Sequence, residues 1–326
     1  MVSPAGRGPR PGPWRLVCVV LVALAGVWPS PSAPQAASGR DAPVRVDRAR
    51  ILLDVGVLAH DSLQGRAAGS EGAAKARRHL VTRLEGVGMR PVQDTFPVLR
   101  RGAADTLTGV NVQVTVPGFL FPDRWIVLTA HYDHVGVRDG QVFNGADDNA
   151  SGTAALLALA EYFRRHPPRH SLLLAFLDAE ERGLQGARHL VAESLPGPEE
   201  AILVNVNLDM VGHSDGELWV TGTTPYPALR PLVEVVDPAP PAYLVFGHDT
   251  EQDTGADNWI NASDHAAFHR RGIPFLYFGV ADHPDYHRPT DDTETLNPAF
   301  LTAATETVLR VVEQLDTVLG GARPGA

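Results

Sequence analysis

Two hydrophobic periods alternate along this chain. Apolar residues recur at helical spacing in Asp47–Asp61, at Ile51, Leu52, Val55 and Leu58, and again in Gly72–Glu85, where Leu80, Val81 and Leu84 form a stripe. Ser70 stands where a cap for the second helix belongs, and Gly86 and Gly88 where it should end. Val92–Leu99 and Gly109–Val116 carry strand-like patterns. Trp125–Ala130, Ser171–Leu177, Ala201–Leu208 and Ile273–Gly279 are continuous apolar runs, as expected of strands buried on both faces. Helices are predicted from a Ser151 cap to Arg165, from Gly183 to about Ser194, and over Tyr226–Val236, Asp264–Arg271 and Pro298–Leu319. Glu217–Gly222 and Tyr243–Phe246 are short strands. This alternation defines an α/β fold with a largely parallel central sheet.

Composition changes the picture mainly at the N-terminus. Arg7, Arg10 and Arg15 precede the apolar run Leu16–Val27, and Pro- and Ala-rich residues follow through Ala37. That is the order of a secretory signal peptide, and the run is too short to span a membrane, which takes roughly 20 residues. Residues 1–38 are therefore expected to be leader and linker, and 39–326 a single catalytic domain. Cys18, the one cysteine, lies in the leader, so the mature chain has no disulfide and no thiol ligand. A secreted or periplasmic location is expected, with no stable membrane association after cleavage. The formal charge is −10, and losing the leader arginines makes it more negative. That balance argues against nucleic acid, whose affinity comes from basic contacts. A monomer is expected.

The chemistry gathers at strand ends. His131 follows the run Trp125–Ala130, with Asp133 two residues on; Glu180-Glu181 follow Ser171–Leu177; Asp209 ends the third run; His287 lies beyond the fourth. In open α/β sheets the carboxyl edge of the strands is where sites form. Asp147 and Asp148 close the loop from the first run, next to the start of a helix. Imidazole and carboxylate together suit zinc, and two ions sharing a carboxylate and a hydroxide are a common hydrolytic arrangement. Of the adjacent glutamates, one can bind metal while its neighbour takes a proton. From chemistry alone Asp147 competes with Asp148, and His283 with His287.

The segments HYDH, GADDNASG, DAEERGLQGA, NLDMVG and YHRPTDD resemble those of the secreted di-zinc aminopeptidases, relatives of aminopeptidase Y, glutamate carboxypeptidase and glutaminyl cyclase. The resemblance runs from about residue 60 onward, in order. It implies a three-layer α/β/α sandwich with a largely parallel, mixed central sheet of the zinc-peptidase (phosphorylase/hydrolase-like) type. It also implies two zinc ions: His131 and Asp209 serve one, Glu181 and His287 the other, and Asp148 bridges them. Glu180 matches the general base, and Asp133 the carboxylate that orients the histidine ring. The activity implied is removal of N-terminal residues from peptides or proteins through a metal-bridging hydroxide. A carboxypeptidase or a glutaminyl cyclase would share the scaffold, and a binding protein would have lost ligands that this chain keeps.

Three further stretches bear on function. The Gly-rich segment LQGRAAGSEG lacks a GxxxxGK[ST] pattern and is expected to be a surface loop. Ser263-Asp264-His265 cannot form a triad from adjacent residues, and no GxSxG elbow exists. Trp259, Tyr277 and Phe278 are equally suited to a pocket wall or to the core.

Overall fold

The computed structural model describes residues 44–99, 102 and 106–324; the expected leader and linker lie outside the described residues. An eight-stranded sheet forms the centre. Its strands are β1 (Val92–Leu99), β2 (Thr106–Val116), β3 (Phe121–His131), β6 (His170–Leu177), β7 (Ile202–Leu208), β8 (Glu217–Thr221), β9 (Tyr243–Phe246) and β10 (Phe275–Gly279), in the spatial order β1-β2-β6-β3-β7-β10-β8-β9. Strands β6, β3, β7 and β10 are mutually parallel, whereas β1–β2, β2–β6 and β10–β8 are antiparallel. A small hairpin, β4 (Gly136–Arg138) with β5 (Gln141–Phe143), occupies the loop after β3.

The parallel strands separate their side chains onto two apolar faces, as the two-residue strand period requires. Ile126, Leu128, Ala130, Leu172, Leu174 and Phe176 pack beneath α1 (Arg48–Leu58), α2 (Glu71–Gly86), α3 (Gly152–Arg165) and α7 (Pro298–Val318). Val127, Leu173, Ala175 and Leu177 face the other way, against α4 (Gln185–His189) and α6 (His265–His269). This is the three-layer arrangement. Every residue of β6, β7 and β10 is buried, and each large aliphatic among them contributes about 1.5–3 kcal/mol by leaving water. Edge strand β1 instead buries only Phe96 and Val98, on alternate positions.

Helix ends follow local chemistry. Ser70 caps α2 by accepting from the Ala73 N–H, and Asn297 caps α7 by accepting from Ala299 and Phe300, with Pro298 in the first turn. Ser151 does not cap α3. It is already helical, and its hydroxyl donates to the Asp147 carbonyl at 2.7 Å. The helices expected over Gly183–Ser194 and Tyr226–Val236 are shorter, α4 giving way to a wider turn at Leu190–Ser194 and α5 covering only Arg230–Glu234. Because β6, β3, β7 and β10 are adjacent and parallel, the chain leaves all four at one edge of the sheet.

Candidate metal centre

At that edge the chain turns sharply three times. Ala179, Met210 and His287 adopt left-handed backbone conformations (φ +61°, +58° and +53°), which cost a non-glycine residue roughly 1–2 kcal/mol each. Each lies beside or within the cluster: Ala179 precedes Glu180, and Met210 follows Asp209. The loop after β3 is fixed by an alternation within Asp147–Ser151. Asp147 Oδ1 accepts from the Gly212 N–H (2.7 Å), Asn149 Oδ1 from Met210 (3.2 Å) and Gly152 (2.9 Å), and Ser151 Oγ from Val211 (3.0 Å). These odd-numbered side chains bind the loop to the segment after β7, and Asp148 between them faces the opposite way.

The structure brings His131, Asp148, Glu181, Asp209 and His287 together. His131 Nε2 lies 3.1 Å from Asp209 Oδ1 and 3.5 Å from Asp148 Oδ1. His287 Nε2 lies 3.0 Å from Asp148 Oδ2 and 3.2 Å from Glu181 Oε1. Each oxygen of Asp148 thus faces a different group of donors. His283, the competitor of His287, stands 3.2 Å from Asp147 Oδ2 instead and stacks on His213.

Glu180 is at the same edge, partly buried, its N–H donating to Asp133 Oδ1 at 3.0 Å. Burial, reinforced by Asp264, Asp209 and Glu181 and opposed by His131, holds its carboxyl well above the usual carboxylate range. Asp133 meets His131 differently from the resemblance. Its backbone carbonyl lies 3.1 Å from His131 Nδ1, whereas its carboxylate is 3.8 Å away and occupied by the Glu180 amide.

The sequence reading missed three residues. His134, fully buried, places Nδ1 2.8 Å from Glu181 Oε1 and 3.6 Å from Asp148 Oδ2. Its signal was only the second histidine of HYDH. Asp291, within YHRPTDD, accepts the Asp147 and Asp148 N–H groups at 2.9 and 3.1 Å and so clamps the loop that presents the shared carboxylate. Arg66 corrects the reading of LQGRAAGSEG as a surface loop. Its guanidinium is completely buried and donates to the carbonyls of Leu58, Tyr132, Asn144 and Gly145. Burial lowers its pKa to about 10, while the charges of Asp148, Asp291, Asp133 and Glu181 oppose that shift.

Ser263 is buried and accepts from Asn207 Nδ2 at 3.0 Å, so it belongs to a polar contact under the site. Asp264 is buried with both carboxylate oxygens unpartnered, and burial together with Asp209 raises its pKa to about 7 despite His131. Phe278 is in the main core; Tyr277 donates to the Asp209 carbonyl at 3.2 Å and shares an aromatic cluster with Trp259 and Phe275.

The donors fit zinc. They are imidazole nitrogens and carboxylate oxygens, the groups zinc prefers. His134 Nδ1 and Glu181 Oε1 are both buried and lie 2.8 Å apart, and neither has any other hydrogen-bond partner. Their geometry suits donors aimed at a common third point. The electrostatics agree: although burial opposes it, Asp148 and Glu181 lift the His287 pKa to about 10, and Asp209 and Glu180 push that of His131 well above its usual value. Glu181 is held well below the carboxylate range by His134 and His287 in spite of its burial. A cluster that draws protons so strongly is short of positive charge.

The family model that matches residues 111–312 is that of peptidase family M28. The chain belongs to this family. Over 199 residues it is 31% identical to aminopeptidase YwaD of Bacillus subtilis, covering 57% of this chain and 40% of that protein. Over 111 residues it is 39% identical to a probable zinc metalloprotease of Leptosphaeria maculans, covering 33% and 25%. The chain thus spans well under two thirds of the length of these curated relatives. Among solved structures, the aminopeptidase from Aneurinibacillus sp. strain AM-1 superposes with a TM-score of 0.68 at 18% identity, over 86% of this chain and 95% of that one. Porphyromonas gingivalis glutaminyl cyclase gives 0.65 at 17%, over 82% and 98%. These likenesses establish the fold.

Proposed function

We propose that this chain is a zinc-dependent exopeptidase that removes N-terminal residues from peptides, with two zinc ions held by His131, Asp148, Glu181, Asp209 and His287. The observation that carries the reading is the sharing of Asp148 between two groups of donors, with Glu180 at the same strand edge. Zinc bound there would acidify the attacking water and polarise the scissile carbonyl. Glu180 would take the proton from that water and deliver it to the leaving amine. Asp133 holds the Glu180 backbone in place for this exchange. The surplus of carboxylates favours a cationic α-amine as the recognised end. Arg66, with its donors turned to backbone carbonyls, offers nothing to a substrate carboxylate. On the strength of the leader sequence, we also propose that the protein acts outside the cytoplasm.

A panel of peptides with a free N-terminus, an acetylated N-terminus or a blocked C-terminus tests the activity, each with and without chelator. Cleavage only of peptides with a free N-terminus, abolished by chelator, is expected. Insensitivity to N-acetylation with loss on C-terminal blocking would make the protein a carboxypeptidase, and cyclisation of N-terminal glutamine a cyclase.

A further inference from the structure

The two donor groups that share Asp148 are unequal. One consists of His131, Asp148 and Asp209, the other of His134, Asp148, Glu181 and His287, each with its donor atoms within 4.8 Å of one another. The geometry points to His134 as a fourth protein ligand, which closes the coordination of the ion at Glu181 and His287 and leaves the ion at His131 and Asp209 with the open position. This inference rests on the proposal that the cluster binds zinc, and adds an unequal division of labour to it.

Four observations carry it. First, tetrahedral zinc with bonds of about 2.0–2.1 Å places its ligand atoms about 3.3 Å apart. The four separations around Glu181 Oε1 and Asp148 Oδ2 are 2.8 Å and 3.6 Å to His134 and 3.2 Å and 3.0 Å to His287, so His134 stands to these two oxygens as His287 does. Second, the His134 side chain is fully buried and neither ring nitrogen has a hydrogen-bond partner, an arrangement that is costly for a buried polar group. Coordination through Nδ1 relieves that penalty at the nitrogen facing the cluster. Third, the ring's position is built into the backbone. Gly145 has φ +56°, and a Cβ there would come within 2.5 Å of the His134 ring and 2.1 Å of the Asp148 carbonyl. The glycine that opens the turn to Asp148 thereby also makes room for His134. Fourth, the rings of His134 and His287 are tilted by 59° at 5.6 Å, so they approach the shared oxygens from different directions rather than stacking.

A position with four protein donors resembles a structural zinc site, and one with three resembles a catalytic site that keeps a place for water or substrate. The competing explanation is that His134 merely hydrogen-bonds Glu181. His134→Asn separates the two, because its amide can donate to Glu181 but is a poor zinc ligand, while His134→Ala removes both capacities. Zinc affinities are measured by competition with graded chelators on the full chain. If His134 is a ligand, the wild type releases its ions in two well-separated steps. Both variants then lose at least about 100-fold in affinity at the tighter step and less than about tenfold at the weaker. Retention of wild-type affinity by His134→Asn overturns the assignment. X-ray absorption of the unsubstituted protein at one equivalent of zinc provides a second test, independent of how the variants fold. Two imidazoles per zinc are expected, and one overturns the inference. Failure to bind zinc at all would instead overturn the proposed function.

Discussion

The two halves of the cluster differ in what surrounds them as well as in donor number. On the His134, Glu181 and His287 side, Arg66 holds the Gly145 turn that packs against His134 and Asp291 fixes the loop that carries the shared oxygen, while His287 stays partly exposed. The His131 and Asp209 side faces Glu180 and Asp264, two carboxyls that burial pushes toward their neutral forms. One side offers a cation four protein donors, while the other offers three and keeps proton-exchanging groups beside them. This contrast shows how one carboxylate can join a position suited to retention to one suited to chemistry.

The largest effect should come from removing what the halves share. Asp148→Ala is expected to reduce kcat/KM by about 10⁴-fold or more and to lower zinc content at both positions, measured by elemental analysis of dialysed protein. Full retention of one ion at wild-type affinity would show that the halves do not depend on Asp148 jointly. Glu180→Gln comes next: zinc content should stay at the wild-type level while turnover falls about 10²–10⁴-fold. An active variant would remove Glu180 from the proton-transfer role.

Asp133→Ala should cost about 10–100-fold. Because the Asp133 carbonyl that faces His131 survives this change and the carboxylate serving Glu180 does not, the loss should appear in kcat more than in zinc affinity. A loss confined to zinc affinity would restore the carboxylate to the ring-orienting role implied by the family resemblance.

The smallest effect concerns Asp264. Its folded pKa, about 7, lies above the ordinary 3.8, so between those values the folded zinc-free protein binds more protons than the unfolded chain. Its contribution to stability is therefore present below about pH 4 and is lost as pH rises through about 7. Asp264→Asn should flatten the fall in melting temperature of the zinc-free protein over that window, by a few degrees at the upper end. Zinc at the His131 and Asp209 position should shrink the difference, and an equal difference with and without zinc would place Asp264 outside that half.

How legible all this was depended on whether local sequence carried the cause. The parallel strands were plain because burial on both faces writes itself as unbroken apolar runs such as SLLLAFL. His131 and Asp209 were visible because each follows such a run directly, and Glu180-Glu181 because they come within a few residues of one. His134 was not, since its meaning depends on Glu181 and His287, which only the sheet brings near. Arg66 was hidden for a related reason. A buried guanidinium satisfied by four carbonyls has no sequence partner to announce it, so its loop looked like ordinary surface. Ser151 looked like a cap because residue type marks capacity, while the loop fixed by Asp147 and Asn149 decided its actual partners.

The strand order has a kinetic consequence. The proposed ligands follow β3, β6, β7 and β10, so the contact of His287 with Asp148 joins segments whose strands pair across long stretches of chain. Such non-local parallel pairing is slow, because loop closure must precede the contacts that reward it. On that account zinc is expected to bind a framework already assembled rather than to template folding. Added during refolding, it should leave the rate of the main folding phase unchanged and instead slow escape from the native state, so that holo and apo chains differ in how long they last rather than in how fast they form.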